Sequence, residues 1–515
     1  MLDILFIHPG ASGIIYQNLS DRFAAIEPPT WSLLMAEACR VAGFEVNIID
    51  CDAERLSDEE ATKRVMADRP RLIVMPVYGS NPNAGTVKMV QVETLCKSIK
   101  DADSSIVIAV GGTHPSALPE KTLRDHSAID VVLLGDGVFA TIEIANKLKN
   151  NQYSEEYGFS VPGTGERCKQ LGNIPVLHSG GKVVPQAEMD KVMPGYAWDL
   201  LPKKKNLLDM YRSCNWHADF KDEVREPYAA IYTSLGCRFK CSFCIINSIN
   251  RETTDGDYDA SKSSGMRFWS PDQMFNVVKH LYENGVRTIR LSDEMFFLDK
   301  RYFEPFLQKL ADSGMGKDLQ MWAYARVDTV RPKYLDLFYK AGVKWLALGI
   351  EAANTAVRRE VTKGTFEETD IRAIVKQIQE SGISVISNYI FGFPDDTYDT
   401  MNQTLDLALE LNTEMANMYA CSALPGSPLY RTAIENKWEL PDNYAAWSFH
   451  SFESLPLPTK YLSAAEVLKF RDQSWNLYFN RPEYHKVVRD KFGASAEQHV
   501  KDMASIKLKR KIFES

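Results

Sequence analysis

In the stretch "TSLGCRFKCSFCII", residues 233–246, three cysteines stand four and then three residues apart: Cys237, Cys241 and Cys244. Thiolates this close along a chain can clasp one inorganic centre, and thiolate sulfur suits iron–sulfur clusters or zinc. A closed zinc site takes four protein ligands, and Cys214, His217 or Cys421 would have to supply the fourth. A tight trio with no fourth cysteine beside it describes instead a metal centre with one position open to a second molecule. Unrelated structural cysteines would not be expected at such spacing.

The segment that carries the trio opens a regular alternation. From about Pro227, strand-like runs read "AAIYTSL", "RTIRLSD", "LQMWAYARV", "KWLALGIE", "SVISNYIFG" and "MANMYACSA". Between them lie helical stretches such as "PDQMFNVVKHLYENG" and "YDTMNQTLDLALELN", opening on Pro, Ser or Asp and closing on Gly or Asn. Six such units over 227–430 predict a partial (β/α)6 TIM-like barrel, whose reactive groups gather at the C-terminal strand ends. The trio follows the first strand, so it belongs at that mouth.

Residues 1–150 alternate in the same way, with strands that are apolar throughout: "DILFIHP", "FEVNIID", "RLIVMPVY", "SIVIAVGG" and "AIDVVLLGDG". That pattern predicts an α/β, doubly wound, Rossmann-like domain with a parallel sheet covered on both faces. Ligands of such domains bind beyond the C-terminal strand ends. The loops there, "HPGASG", "VYGSNPNAGT", "GGTHPSALPE" and "GDGVFAT", are small-residue rich and let backbone approach a flat ligand. No G-x-G-x-x-G opens the first helix, so glycine content alone reads as a nucleotide-binding or structural domain. Residues 151–226 are turn-rich and predict a structured connector with one hairpin, and 431–515 a helical C-terminal extension. In that extension Trp447, Phe449 and His450 have no clear helical period and suit either a cap or one wall of a pocket.

Bulk properties narrow the classes. A 515-residue chain, 45% hydrophobic and 25% charged, is that of a soluble multidomain protein. A net charge of -8 is small for the length and predicts no nucleic-acid surface, the basic "KLKRKIF" being a solvated end. No apolar run is long enough to span a membrane, and "MLDILFIHPG" reads as a buried strand rather than a signal peptide. Nine scattered cysteines, an odd number, are not a disulfide framework and predict a reducing cytoplasm.

C-x3-C-x2-C after the first strand of such a barrel resembles the radical S-adenosylmethionine enzymes, over about Tyr232 to Tyr430. The loops of residues 1–150 resemble the cobalamin-binding domain that precedes this barrel in the cobalamin-dependent members. The resemblance implies a [4Fe–4S] cluster on Cys237, Cys241 and Cys244, whose fourth iron is chelated by S-adenosylmethionine and whose electron breaks the C–S bond to give a 5′-deoxyadenosyl radical. It further implies that Phe243 meets the adenine, that Ser292, Asp293 and Glu294 stand near the methionine amino group, and that Arg326 pairs with the methionine carboxylate. Glu351 would contact the ribose or amino group, and Gly392, Phe393 and Pro394 would form the turn that passes adenine; each of these also suits ordinary packing at a barrel mouth. For cobalamin it implies Gly111, Gly112, Thr113, His114 and Pro115, with Ser80, Gly135 and Gly137. The D-x-H-x-x-G motif of histidine-ligated cobalamin proteins is absent, so His8 and His114 are not expected on cobalt, and His114 suits a structural hydrogen bond. The implied activity is methylation of an unactivated carbon or phosphorus of a small molecule, through methylcobalamin and the radical. Oxidative cyclisation or ring rearrangement is the alternative. An external flavodoxin- or ferredoxin-like electron donor would serve either. Transfer-RNA methylthiolation needs a second cysteine cluster, which Cys39, Cys51 and Cys96, spread over helix and strand, do not form.

Overall fold

The computed structural model describes residues 2–79, 84–150, 177–178, 182–213, 227–253, 256–362 and 370–514. The N-terminal sheet is wholly parallel and built from β1 (Ile4–His8), β2 (Val46–Asp50), β3 (Leu72–Val77), β4 (Val107–Gly112), β5 (Val131–Leu133) and β6 (Leu177–His178), in the order β2-β1-β3-β4-β5-β6. β1, β3, β4 and β5 are buried at every position, which is why their sequences run apolar rather than alternating. The order reverses between β1 and β3, so a crevice opens beyond their C-terminal ends. β6 comes from the connector. The expected hairpin falls largely outside the described residues, and the two described strand residues pair parallel to β5 and extend this sheet. Trp216 and His217 lie outside the described residues, whereas Trp198 is buried and stacks on Tyr196 at 4.8 Å.

One buried carboxyl in this domain sets a pH response. Asp50 ends β2, fully buried, accepting from the amides of Asp52 and Ala53 at 3.1 and 3.0 Å and from the Tyr211 hydroxyl at 2.8 Å. Burial nevertheless pushes its pKa from 3.8 up to about 7. Below pH 4 the carboxyl is protonated whether the chain is folded or not; above it the unfolded chain ionises first, and stability falls until the pH passes about 7. Asp50→Asn, which keeps the amide-accepting oxygen, is expected to remove a loss on the order of 4 kcal/mol between those pH values. Thermal melts of parent and variant at pH 5 and 8 check this.

The second sheet is also parallel: β7 (Tyr228–Ile231), β10 (Thr288–Leu291), β11 (Gln320–Arg326), β12 (Val343–Glu351), β13 (Ser384–Phe391) and β14 (Met415–Ala420), ordered β14-β13-β12-β11-β10-β7. Helices Pro271–Glu283, Lys300–Ser313, Leu335–Lys340, Ile371–Glu380 and Tyr398–Leu411 cover its outside. Ser270, Asp299, Asp370 and Thr397 cap four of them through their side chains. This is the curled half-barrel expected from the six units. The first unit differs in one respect. "AAIYTSL" is not one strand: β7 stops at Ile231, and β8 (Ser234–Cys237) leaves the barrel to pair antiparallel with β9 (Gly265–Phe268) in a separate hairpin.

The C-terminal extension is helical at Ala464–Phe479, Pro482–Phe492 and Ala494–Ser505. Residues 436–463 instead run irregularly across the seam of the two sheets, with one 3-10 turn at Ala445–Trp447. The Tyr444 hydroxyl lies 2.6 Å from His126 Nε2, and Gln17 donates to the His450 carbonyl at 2.7 Å. No helix among the described residues is long and apolar enough to cross a membrane.

Candidate active site between the two sheets

Asp293 creates the bend that takes the cysteines out of the barrel wall. Its carboxylate, just beyond β10, accepts from the Thr233 amide at 2.9 Å, the Thr233 hydroxyl at 2.8 Å and the Ser234 hydroxyl at 2.5 Å. Gly236 follows at φ 84°, with the Gly265 carbonyl where a side chain would stand. Cys237 is therefore the last residue of a short strand, not a loop residue. Its amide donates to Asn247 Oδ1 at 3.1 Å, and Asn247 Nδ2 donates to the Phe239 carbonyl at 3.2 Å, fastening the loop across its base. Cys241 and Cys244 form the following turn, pinned to the barrel by Ser242 N–Val361 O at 3.0 Å and Leu429 N–Ser242 O at 2.8 Å.

Cys237 is buried and the other two are half-buried. Burial is the largest influence on all three thiols, pushing Cys237 up to about 12, Cys241 up to about 11 and Cys244 well above its usual 9. Their charges also oppose one another, Glu294 adds to this at Cys237 and Cys244, and Glu351 at Cys241. A metal here must displace protons. The donor set fits a cluster better than zinc. A single zinc, with Zn–S of about 2.3 Å, would draw its ligands into contact around one point. A [4Fe–4S] cluster takes one thiolate per iron and can use three, leaving one iron open, where a closed zinc site takes four protein ligands. Cys421 is buried in an apolar group with Phe393 and Leu429, while Cys237 and Cys244 pack with Ile246 and Met295, and Cys214 and His217 lie outside the described residues.

The strand ends bring most of the other expected groups to the same mouth. Ser292 is buried and its amide donates to the Ile231 carbonyl at 2.7 Å, bridging β10 and β7. Glu294 is half-buried, and burial, more than offsetting Arg290, pushes it up to about 7. Arg326 is already engaged: it donates to both carboxylate oxygens of Asp328 at 2.6 Å, and its guanidinium lies 3.7 Å over the Phe239 ring. Glu351 ends β12 after a register shift at Gly349, in the left-handed region at φ 65°, a backbone cost that tends to persist at functional sites. Burial pushes its carboxyl up to about 7 as well. Phe243 and Phe393 meet at 5.6 Å, with Phe393 fully buried. Gly392 is a glycine for a packing reason, since Val467 of the C-terminal helix fills the place of its side chain. Asp396, which sequence reading missed, shapes that turn by accepting from the Gly392 and Phe393 amides, both at 3.0 Å, and the Pro394 carbonyl accepts from the Lys460 amide at 2.9 Å.

Across the seam the expected loops are built more tightly than open ligand loops. Gly111 and Gly112 complete β4, and Thr113, His114 and Pro115 open a short buried helix, Thr113–Ala117, rather than a loop. His114 Nδ1 lies 3.3 Å from the Thr86 hydroxyl, and burial pushes the ring's pKa down to about 3. Leu133, the Val77 carbonyl and the Arg251 carbonyl occupy the side-chain positions of Gly111, Gly112 and Gly135, and Leu133 also crowds Gly137. These glycines admit the protein's own atoms first. Ser80 lies outside the described residues. The open space is nearby, in the crevice between β1 and β3. A cleft of about 770 Å³, its solvent mouth included, is lined there by His8, Trp31, Tyr78 and Lys88 and, from the barrel, by Tyr232 and Ser292. Lys88 Nζ sits 3.1 Å from Asp52 and 3.5 Å from His8 Nε2, and Trp31 stacks on Tyr78 at 4.2 Å. A smaller cavity of about 280 Å³, open solvent included, is also lined by Trp31, Tyr78 and Tyr232 and borders Glu294 and Gly236 beside the cysteine hairpin. Trp31 and Lys88 carried no signal in the sequence beyond helical periodicity. Of the suspected pocket wall, Trp447 is buried in an apolar cluster, while Phe449 and His450 are half-buried against Tyr419 at 5.1 Å and Tyr16 at 5.2 Å.

A crevice at a strand-order reversal facing a cysteine hairpin at a half-barrel mouth defines a two-cofactor architecture, and the comparisons agree. Residues 19–145 match the B12 binding domain model and residues 231–408 the Radical SAM superfamily model. The chain belongs to the cobalamin-dependent radical S-adenosylmethionine enzymes, whose cofactors are a [4Fe–4S] cluster, S-adenosylmethionine and cobalamin. It is 25% identical over 470 residues to "Uncharacterized methyltransferase PH0819" of Pyrococcus horikoshii, covering 90% of each chain. It is 23% identical over 466 residues to the anaerobic magnesium-protoporphyrin IX monomethyl ester cyclase of Rubrivivax gelatinosus, covering 87% of this chain and 72% of that one. The fold is shared with the methyltransferase TsrM of Kitasatospora setae, solved with cobalamin and cluster bound (TM-score 0.63, 15% identity, 97% of this chain and 100% of that one). It is shared too with OxsB, solved with aqua-cobalamin (TM-score 0.64, 15% identity, 98% and 72%).

Proposed function

We propose that this enzyme methylates an unactivated carbon or phosphorus centre of a small-molecule substrate. When bound, the cluster with S-adenosylmethionine supplies a 5′-deoxyadenosyl radical and cobalamin supplies the methyl group. The observation that carries the reading is that two cavities, one in the β1/β3 crevice and one at Glu294 beside the cysteine hairpin, share Trp31, Tyr78 and Tyr232 in their walls. Cys237, Cys241 and Cys244 would hold the cluster. Phe243, with Phe393 behind it, offers a flat apolar face to an adenine, while Glu294 and Glu351 offer carboxylates to an ammonium or ribose. Burial makes both carboxylates costly to ionise, and a cationic ligand would relieve that cost. Arg326, held by Asp328, would orient a carboxylate from the side of Phe239. Trp31, Tyr78 and Tyr232, which line both cavities, offer rings that would exclude water from a radical. An electron donor of flavodoxin or ferredoxin type in a reducing cytoplasm completes the proposal.

Anaerobically reconstituted protein should carry about four irons per chain and one cobalamin. With reductant and S-adenosylmethionine it should release S-adenosylhomocysteine as well as 5′-deoxyadenosine. Release of 5′-deoxyadenosine without S-adenosylhomocysteine would favour oxidative cyclisation, the reading that the cyclase relative supports. Zinc in place of iron would defeat both readings.

Glu351 gives a sharper prediction. Glu351→Gly relieves the left-handed backbone and removes a buried carboxyl, so the cofactor-free protein should gain roughly 1 kcal/mol. S-adenosylmethionine binding should weaken in the same variant. Thermal melts and equilibrium dialysis measure the two; a variant less stable than the parent would contradict the strain argument.

A further inference from the structure

The cysteine hairpin is fastened to the N-terminal domain by two buried arginines. Arg267 of β9 donates through Nη1 to Asp136 Oδ2 at 2.5 Å and to the Val184 carbonyl at 2.7 Å, and through Nη2 to the Ile249 carbonyl at 3.3 Å. Asp136 lies in the turn after β5, 1% exposed, and also accepts from the Val184 amide at 2.9 Å. One side chain thus ties together the β5 turn, the chain after β6 and the segment behind the cysteines. Arg251, equally buried, donates to the Ser116 carbonyl at 2.5 Å, and its own carbonyl fills the side-chain position of Gly135. The link to the metal site is short, because β8 and β9 pair Leu235 with Arg267 and Cys237 with Gly265.

These contacts are poorly explained by stability alone. A buried ion pair is often no more stabilising than apolar residues of the same volume, and Arg267 Nε remains buried without a partner among the described residues. Position explains them better. The Asp136 turn follows β5, its Gly135 carbonyl accepts at 2.7 Å from the hydroxyl of Tyr78, which lines the crevice, and Arg267 stands two pairs from Cys237. Resting on the two-cofactor reading above, we propose that the Asp136–Arg267 pair, with Arg251 against Ser116 and Gly135, is a gauge that fixes the separation of the cobalamin-binding loops from the cysteine loop. Arg267 is a positioning residue for both cofactors, acting through β8 on one side and the β5 turn on the other.

The test uses holoenzyme loaded with cobalamin and cluster and reduced so that both centres are paramagnetic. Pulsed electron paramagnetic resonance then reports the distance between them. The double variant Asp136→Leu/Arg267→Met leaves no uncompensated buried charge and should fold and load. Its distance distribution should broaden where the parent's is single and narrow. In a single turnover without substrate, its S-adenosylhomocysteine yield should fall about a hundredfold, as a misplacement near 1 Å would cause. Its 5′-deoxyadenosine release, which needs only the barrel side, should stay close to the parent's. Arg267→Lys, which keeps the charge but not the fork, should lie between. An unchanged distribution in the double variant, or both products falling together, overturns the gauge. A parent that loads neither cofactor sinks the functional reading beneath it instead.

Discussion

Cys241→Ala is expected to reduce 5′-deoxyadenosine release to the detection limit while the protein continues to bind one cobalamin. Cys241 is half-buried in the turn after β8, and its removal takes no large side chain from either core. The turn keeps its main-chain anchors to Val361 and Leu429, so the fold should survive. What is lost is one of three sulfurs on which a cluster with one open iron depends, and two thiolates do not hold such a cluster at full occupancy. The β1/β3 crevice, built from other elements, is untouched. Cys39→Ala is the control: Cys39 is fully buried in helix Thr30–Val41 and packs in the apolar core, so the variant should load iron and cleave S-adenosylmethionine as the parent does. Iron content, visible absorption and product analysis distinguish the two. Full iron content with normal cleavage in the Cys241 variant would remove the trio from the mechanism.

The second large effect is expected at a residue that makes no contact with metal in this reading. Asp293→Ala leaves the Thr233 amide and the Thr233 and Ser234 hydroxyls without their acceptor in a place where Asp293 itself is fully buried. Each unsatisfied buried donor costs about 1–3 kcal/mol, so the bend at Tyr232–Thr233 should relax toward continuing β7. Cys237, at the end of β8, would move with it. The expected outcome is less than about half the parent's iron after reconstitution, with cobalamin binding retained and a melting temperature several degrees lower. Asp293→Asn keeps an acceptor but sets a donor against a donor, and should fall between. A fully loaded Asp293→Ala variant melting like the parent would show that the bend is held elsewhere.

Much of the architecture was legible because it is written in short-range patterns. The all-apolar strands, the Ser, Asp and Pro helix openings and the cysteine spacing each involve residues within one element, where period and cap chemistry are local. The misreadings are just as specific. "AAIYTSL" has an unbroken strand pattern, yet it divides because an aspartate 60 residues further on captures Thr233. "THPSALPE" has loop composition, yet Thr113–Ala117 turns helical directly after β4 and is buried throughout. Leu133 and the Val77 and Arg251 carbonyls stand where side chains of Gly111, Gly112 and Gly135 would be, a packing that glycine-rich composition does not announce.

The sequence by itself determined the class of chemistry: three sulfurs at fixed spacing after the first strand of one α/β unit, preceded by another. It could not determine which charged groups stay available to a ligand, because that depends on partners set by strand register and by the docking of the two sheets. Arg326, expected to pair with a ligand carboxylate, is held by Asp328, and Asp293, expected near the methionine amino group, accepts from Thr233 and Ser234 at the bend. Asp136 finds Arg267 across 131 residues of chain. Hydrogen bonds and ion pairs at such separations arise only when distant segments are brought together, and folding rather than local propensity selects them.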